Sequence, residues 1–257
     1  IFLRMEIQTF DSIIIGSGQA GNPLAFFLAA KGQNVALIEK GKLGGTCVNT
    51  GCTPTKTYVA SARRAWEVNQ ASELGISTEK SPTVSLEKIW KRKEKIISSS
   101  RNGIQDGIES NDNITLFKGV GKFTGPKEVA VGNHRLKAEK IYINVGARPR
   151  IIPGFEEVRF FTNESILDLK EVPQHLIIIG GSYIGLEFAQ IFRRFGSKVT
   201  VCEKGPRIIH REDHDHSEMI EQILESEGIQ FELNANCLSG KNWGDSQVEV
   251  QMDCGGK

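Results

Sequence analysis

The 257-residue chain lacks a charge excess, a long apolar run and any low-complexity tract, and each absence removes a class of function. Its 32 basic and 31 acidic residues leave a net charge of +1. The one-signed cluster expected of a nucleic-acid or membrane-surface binder is therefore missing. The most basic stretch, Lys91-Arg92-Lys93-Glu94-Lys95, falls in a helix-like segment and reads as a solvated face. No segment approaches the ~18 apolar residues that cross a bilayer. The opening Ile1-Phe2-Leu3-Arg4-Met5 is followed by neither the apolar core nor the small-residue cleavage site of a signal peptide. Met5 reads as a possible start, and a cytoplasmic location is expected. Cysteine is scarce and odd in number: Cys47, Cys52, Cys202, Cys237 and Cys254. That is not the even framework of a small secreted domain, and only Cys47 and Cys52 are close in sequence.

What is present is ordinary for a globular protein, with 39% hydrophobic and 25% charged residues in a length that suits two domains. A short apolar run, Ser12-Ile13-Ile14-Ile15, has the character of a strand buried on both faces and leads into Gly16-Ser17-Gly18-Gln19-Ala20-Gly21. A helix-like stretch follows to Lys31-Gly32, and Val35-Ala36-Leu37-Ile38 then ends at Glu39. The design recurs. Leu176-Ile177-Ile178-Ile179 leads into Gly180-Gly181-Ser182-Tyr183-Ile184-Gly185, a helix-like stretch, and a strand ending at Glu203. Gly16 to Glu39 and Gly180 to Glu203 span the same 23 positions, so this is an internal repeat of dinucleotide-binding type.

Between the repeats, helices are expected from near Cys52 to about Ala71 and from Ser85 to about Ile108. Strands are expected at Ile114–Phe117, Val129–Val131 and Ile141–Val145. Pro149, Pro153 and Gly154 read as a linker. The fold class is α/β: two Rossmann-like dinucleotide units with a β-rich connection, divided as residues 1–153 and 154–257.

In the first motif Gly16 permits a tight turn, Gly18 lets the backbone approach a pyrophosphate, and Gly21 lets the helix pack close to the strand. The helix N-terminus offers free N–H groups to phosphates, and Glu39 can accept ribose hydroxyls. In the second motif Ser182 replaces the middle glycine and can donate to a phosphate. The chemistry concentrates in Gly44-Gly45-Thr46-Cys47-Val48-Asn49-Thr50-Gly51-Cys52-Thr53-Pro54-Thr55-Lys56. A thiol at a helix N-terminus is drawn toward thiolate, and Pro54 suits a first helical turn. Redox chemistry, half of a zinc site and two inert thiols are the readings of such a pair. Zinc needs a second ligand pair at comparable spacing, which Cys202, Cys237 and Cys254 do not offer.

The segment Gly44–Lys56 resembles the redox-disulfide signature of the class I pyridine nucleotide–disulfide oxidoreductases, such as lipoamide dehydrogenase, glutathione reductase and mercuric reductase. The resemblance covers nearly the whole chain. It implies FAD held by Gly16, Gly18, Gly21, Glu39, Lys40, Gly45 and Thr46 and by the returning segment Gly146, Ala147 and Arg148. Val145 departs from the pattern, standing where the family commonly has Thr. It implies a Cys47–Cys52 disulfide, Cys47 as the interchange thiol, Cys52 as the thiol against the flavin, and Lys56 paired with Glu187. Gly180, Ser182, Gly185 and Glu203 match the NAD(P)H site. An acid at Glu203 favours the 2′-hydroxyl of NADH, while Lys204 and Arg207 could instead accept the phosphate of NADPH.

The implied substrate is a small-molecule disulfide or a metal ion, and the implied parent enzyme is a homodimer. Family members are longer: a central remainder, a dimerisation domain and a His–Glu pair are expected to be missing here. The alternative reading is thus a non-catalytic nucleotide-binding fragment. A flavin monooxygenase or NADH oxidase is a further rival, which the cysteine pair argues against. His210, His214 and His216 among Glu212, Asp213 and Asp215 read as the start of a helix with acids at its positive end, and no metal is expected. Cys202, in a buried strand, reads as inert, and Trp66 and Trp90 read as packing residues.

Overall fold

A computed structural model describes residues 6–77, 83–244 and 247–254; Ile1–Met5, with the possible start, lie outside them. Contacts divide the chain into two compact units, Ile1–Pro54 with Lys93–Arg148 and Thr55–Arg92 with Pro149–Lys257. This division differs from a break at 153/154. The reason is packing: Tyr58, Ala62 and Leu86 are buried in the core of the second unit, and the Tyr58 hydroxyl donates to the carbonyl of Leu167 at 2.9 Å.

The first unit is built on one six-stranded sheet. Its elements are β1 (Ile7–Ile15), α1 (Gly21–Ala30), β2 (Val35–Glu39), a short α2 (Gly45–Asn49), β3 (Ile114–Lys118), β4 (Lys122–Gly125), β5 (Glu128–Val131) and β6 (His134–Ile143). Two long helices, α3 (Cys52–Gln70) and α4 (Leu86–Glu109), continue from one unit's residues into the other's. The strand order is β3-β2-β1-β6-β5-β4, with β1 parallel to both β2 and β6. The β-rich stretch is therefore no connection but part of the first sheet, supplying β3 at one edge and β6, β5 and β4 on the other side, with β4 and β5 as an antiparallel flap.

A parallel strand covered on both sides must be apolar throughout. Val35, Ala36, Leu37 and Ile38 are 1% exposed or less. Alternation sorts them: Val35 and Leu37 join Ile14, Ala25 and Ile108 on the helical face, while Ala36 and Ile38 join Ile13, Ile15, Val129 and Val131 on the flap face. Full burial of one such aliphatic side chain contributes about 1.5–3 kcal/mol.

The second unit repeats the opening. β7 (His175–Ile179), α5 (Tyr183–Arg194), β8 (Lys198–Glu203), α6 (His214–Ser226) and β9 (Ile229–Leu233) give a parallel sheet ordered β7-β8-β9. An antiparallel hairpin of β10 (Asn236–Trp243) and β11 (Gln247–Asp253) follows. The likeness reaches single hydrogen bonds. Gly16 N–H donates to Ile38 O, and Gly180 N–H to Cys202 O, both at 2.8 Å.

The helix-opening glycines are fixed by space. A Cβ on Gly21 would lie 1.9 Å from Gly16 O, and one on Gly185 2.2 Å from Gly180 O. At Gly18 the nearest protein atom would be 3.9 Å away. Gly21→Ala and Gly185→Ala should each cost about 1–3 kcal/mol in urea unfolding, as overpacking does. Gly18→Ala should leave the unfolding midpoint unchanged; equal losses at all three positions would contradict this assignment of roles.

Candidate functional site

The nucleotide-type turn of the first unit is closed by its acid. The Glu39 carboxylate accepts from the Ser17 N–H at 2.9 Å, the Ser17 hydroxyl at 2.7 Å and the Gly41 N–H at 2.7 Å. The second unit does the same: Glu203 accepts from Gly181 N–H at 2.7 Å and from Gly205 N–H at 2.8 Å. Each acid thus ties the glycine turn to the loop after the second strand. A carboxylate has about four lone-pair sites, so capacity for ribose hydroxyls remains. Sequence reading singled out the acids but missed Ser17, Gly181, Gly41 and Gly205, because a peptide N–H leaves no side-chain signature.

Several observations in the first unit fit a dinucleotide. The position that a Cβ on Gly18 would fill is clear of protein out to 3.9 Å. Asn22, buried at the start of α1, donates to Ser17 O at 2.6 Å, yet its Oδ1 has no partner among the described residues. Asn144 Nδ2, at the strand end beside the turn, is likewise buried and unmatched among them. A buried polar group without a partner costs about 1–3 kcal/mol, so such atoms suit a polar ligand. Gly146 (φ +70°) and Ala147 follow in an exposed loop, and Lys40 is exposed just after Glu39.

The cysteine segment is attached to this turn. Gly44 N–H donates to Ser17 O at 3.0 Å, and a Cβ on Gly45 would come within 2.7 Å of Gly18 Cα. Gly44 (φ +93°) and Gly45 (φ +59°) occupy left-handed conformations that only glycine adopts at little cost. Asn49 fixes the bend by donating from Nδ2 to Leu43 O at 2.9 Å and to Gly45 O at 2.8 Å. Cys47 thus sits on the short α2, followed by the bend at Gly51, and Cys52 opens α3. Thr46 and Cys52 are exposed, Cys47 half-buried.

The Cys47 and Cys52 side chains lie close enough to interact. Burial, then the Cys52 thiol beside it, pushes the Cys47 thiol above its ordinary range. The N–H groups of Cys52 and Thr53, at the start of α3, pull it back less strongly. The helix terminus therefore acts in the expected direction but does not prevail.

In the second unit Lys56 and Glu187 form the anticipated ion pair. Ser182 is the N-cap of α5 in extended conformation, exposed and making no side-chain capping bond. Arg207 donates to the carbonyls of Glu212 and His210, both at 2.9 Å, and so is committed to its own loop; Lys204 is exposed. At the start of α6, Asp213, Asp215 and His216 can bring ligand atoms within 4.8 Å of one another, all exposed. Asp213 makes no capping hydrogen bond, so these acids complement the helix dipole rather than cap it, and no ion is assigned to them. Trp90 donates to Asp168 at 2.9 Å, and Trp66 lies under Arg194, which agrees with packing roles.

Residues 10–257 match the sequence model of the family described as pyridine nucleotide-disulphide oxidoreductase. The chain is 34% identical over 245 residues to a dihydrolipoyl dehydrogenase of Chlamydia trachomatis, covering 93% of this chain and 52% of the relative. It is 35% identical over 254 residues to a mercuric reductase of Bacillus cereus, covering 96% and 39%. In three dimensions it resembles the HOCl-induced flavoprotein disulfide reductase RclA from Escherichia coli. The TM-score is 0.81 at 34% identity, over 94% of this chain and 52% of that one. The chain spans about half the length, or less, of these relatives.

A raised thiol carries little thiolate at neutral pH, so in the reduced protein Cys47 should alkylate slowly near pH 7 and speed up only above the usual thiol range, about pH 8.5. Cys52→Ala removes the neighbouring thiol and should shift the Cys47 profile to lower pH. Iodoacetamide rates against pH, read by peptide mass, check this; an unmoved profile would contradict the coupling.

Proposed function

Because the chain belongs to the pyridine nucleotide-disulphide oxidoreductase family, we propose that it carries the electron-transfer half of a flavoenzyme. In this reading, electrons pass from NAD(P)H through FAD to a disulfide formed by Cys47 and Cys52. They pass on to a small-molecule disulfide or a metal ion. The observation that carries the reading is the attachment of the cysteine segment to the first glycine turn, through Gly44 N–H on Ser17 O and the packing of Gly45 on Gly18.

In this reading FAD belongs to residues 1–153 and the nicotinamide nucleotide to 154–257, in a cytoplasmic enzyme that is dimeric when whole. No helix among the described residues is long and apolar enough to cross a membrane. The residues suit their roles. Gly18 leaves room for a pyrophosphate at the start of α1, and Glu39 receives the adenosine ribose. Gly146, Ala147, Lys40, Gly45 and Thr46 complete the same site. FAD, when bound, supplies the hydride and electron chemistry. The protein's own step is thiol–disulfide exchange. Once two electrons have opened the Cys47–Cys52 bond, Cys47 as thiolate attacks one sulfur of the substrate disulfide and expels the other half as a thiol; Cys52 then attacks Cys47 in the mixed disulfide, releasing the second thiol and re-forming the Cys47–Cys52 bond. A metal-ion substrate instead takes both thiolates as ligands. Lys56 is held by its ion pair with Glu187. The mercuric reductase and dihydrolipoyl dehydrogenase relatives support the two substrate classes equally.

For the second nucleotide, Gly180, Ser182 and Gly185 form the turn and Glu203 receives the ribose. The engagement of Arg207 with its own loop supports NADH over NADPH.

Counting thiols by alkylation and mass spectrometry should find Cys47 and Cys52 blocked in the air-oxidised chain and both free after reduction. Two free thiols in the folded, air-oxidised protein would overturn the reading. Gly18→Val should lower FAD retention on desalting at least tenfold, since the side chain enters the space left for the pyrophosphate. Calorimetric titration should give tighter binding of NADH than of NADPH, with the ratio unchanged by Arg207→Ala.

A further inference from the structure

The face of the second sheet opposite α5 gathers sulfur. Along β8, Val199 and Val201 belong to the core that includes Leu186, Ala189 and Phe192 of α5. By alternation Thr200 and Cys202 point the other way. Thr200 has polar partners of its own, the ring of His175 at 3.0 Å and the side chain of Gln230 at 3.5 Å. Cys202 is 1% exposed, and its Sγ lies 3.3 Å from Sδ of Met252 on β11. Met252 is in turn registered directly opposite Cys237 on β10. Directly opposed residues in an antiparallel pair hold their side chains on one face, with Cβ atoms about 4.5–5.5 Å apart. Three sulfurs from three strands therefore converge, although their positions in sequence are 35 and 15 residues apart.

The repeat makes a comparison possible. Cys202 occupies the place that Ile38 holds in the first unit, where the flap side is filled by aliphatic residues such as Val129. Hydrophobic packing alone is thus met by hydrocarbon there, whereas the second unit uses a thiol, a second thiol and a thioether. We propose that Cys202, Cys237 and Met252 form a binding site for a soft, closed-shell monovalent cation, Cu(I), enclosed between β8 and the β10–β11 hairpin.

The ligand set selects the ion. Structural zinc takes thiolate, imidazole or carboxylate, so a thioether at the centre of the cluster speaks against it. Thiolate and thioether together suit Cu(I). Burial pushes the Cys202 thiol up to about 12 and the Cys237 thiol upward as well. Binding exchanges protons for metal: the Cys202 and Cys237 S–H bonds break, two S–Cu bonds form, two protons go to solvent, and Met252 donates a lone pair. No electron is transferred. Cys254, just past β11, and Glu232, registered with Cys202 on β9, add negative charge around the site when ionised. Nothing here depends on the reaction proposed for Cys47 and Cys52.

The test uses the 257-residue chain carrying Cys47→Ser and Cys52→Ser, so that the other close thiol pair does not compete. Under anaerobic, reducing conditions it is titrated against the Cu(I)–bicinchoninate complex, whose colour reports copper withdrawn by the protein. The expected result is one Cu(I) per chain, with an X-ray absorption spectrum of sulfur neighbours only. Adding Cys237→Ser should abolish withdrawal, and adding Met252→Leu, which conserves volume, should weaken it on the order of tenfold. Circular dichroism establishes that each variant is folded, and the half-exposed Cys237 and Met252 are chosen over the buried Cys202 for that reason. A parent chain that withdraws no copper would overturn the proposal. So would undiminished withdrawal by either folded variant, or a spectrum dominated by nitrogen or oxygen neighbours.

Discussion

A helix can follow a buried parallel strand within a few residues only if its first turn almost touches the carbonyl at which the strand ends. That close approach, at Gly16 with Gly21 and again at Gly180 with Gly185, leaves room for a hydrogen atom and nothing larger. The rest is arranged around it. It sets the N-terminal turns of α1 and α5 directly after β1 and β7, and a helix N-terminus favours an anion through the helix dipole. It brings Ser17 and Gly181 over the acids that end β2 and β8. In the first unit it also presents Ser17 O to Gly44, and so decides where the cysteine segment can lie.

Much of this was readable from sequence because the signals are local. The strand–glycine–helix–strand–acid unit has a fixed length, and its two copies could be aligned by counting. The α3 and α4 spans, and the pairing of Lys56 with Glu187, were likewise anticipated. What escaped was of two kinds. Segment pairing across the chain was hidden: Thr55–Arg92 joins the second unit because of where Tyr58, Ala62 and Leu86 find apolar partners more than 70 residues away. β6 was foreseen only at its C-terminal end, because its first half is polar on alternate residues and resembles a surface loop. Main-chain donors were hidden too, and they supply most of the hydrogen bonds that shape both turns.

The two groups of cysteines show the limits of spacing as a guide. Cys47 and Cys52 were conspicuous because they are neighbours, and the helix start beside them suggested an activated thiol. The structure adds the opposing contributions, and burial together with the second thiol outweighs two peptide N–H groups. Cys202, Cys237 and Cys254 looked unrelated because a strand, a helix and a turn separate them. Sheet register erases that separation, placing Cys237 beside Met252 and Met252 on Cys202.

The double grip of Glu39 and Glu203 also bears on the entropy of recognition. Each turn is already drawn shut by its own acid, with the strand–helix junction in its binding shape and its N–H groups oriented. A nucleotide arriving at such a turn orders little that was loose, so most of its contact energy appears as affinity rather than being spent on folding the loop around it. The same economy has a genetic cost. A substitution that shortens or neutralises either acid removes the hydrogen bonds that close its turn, so these two positions tolerate exchange far less than their partial exposure would suggest.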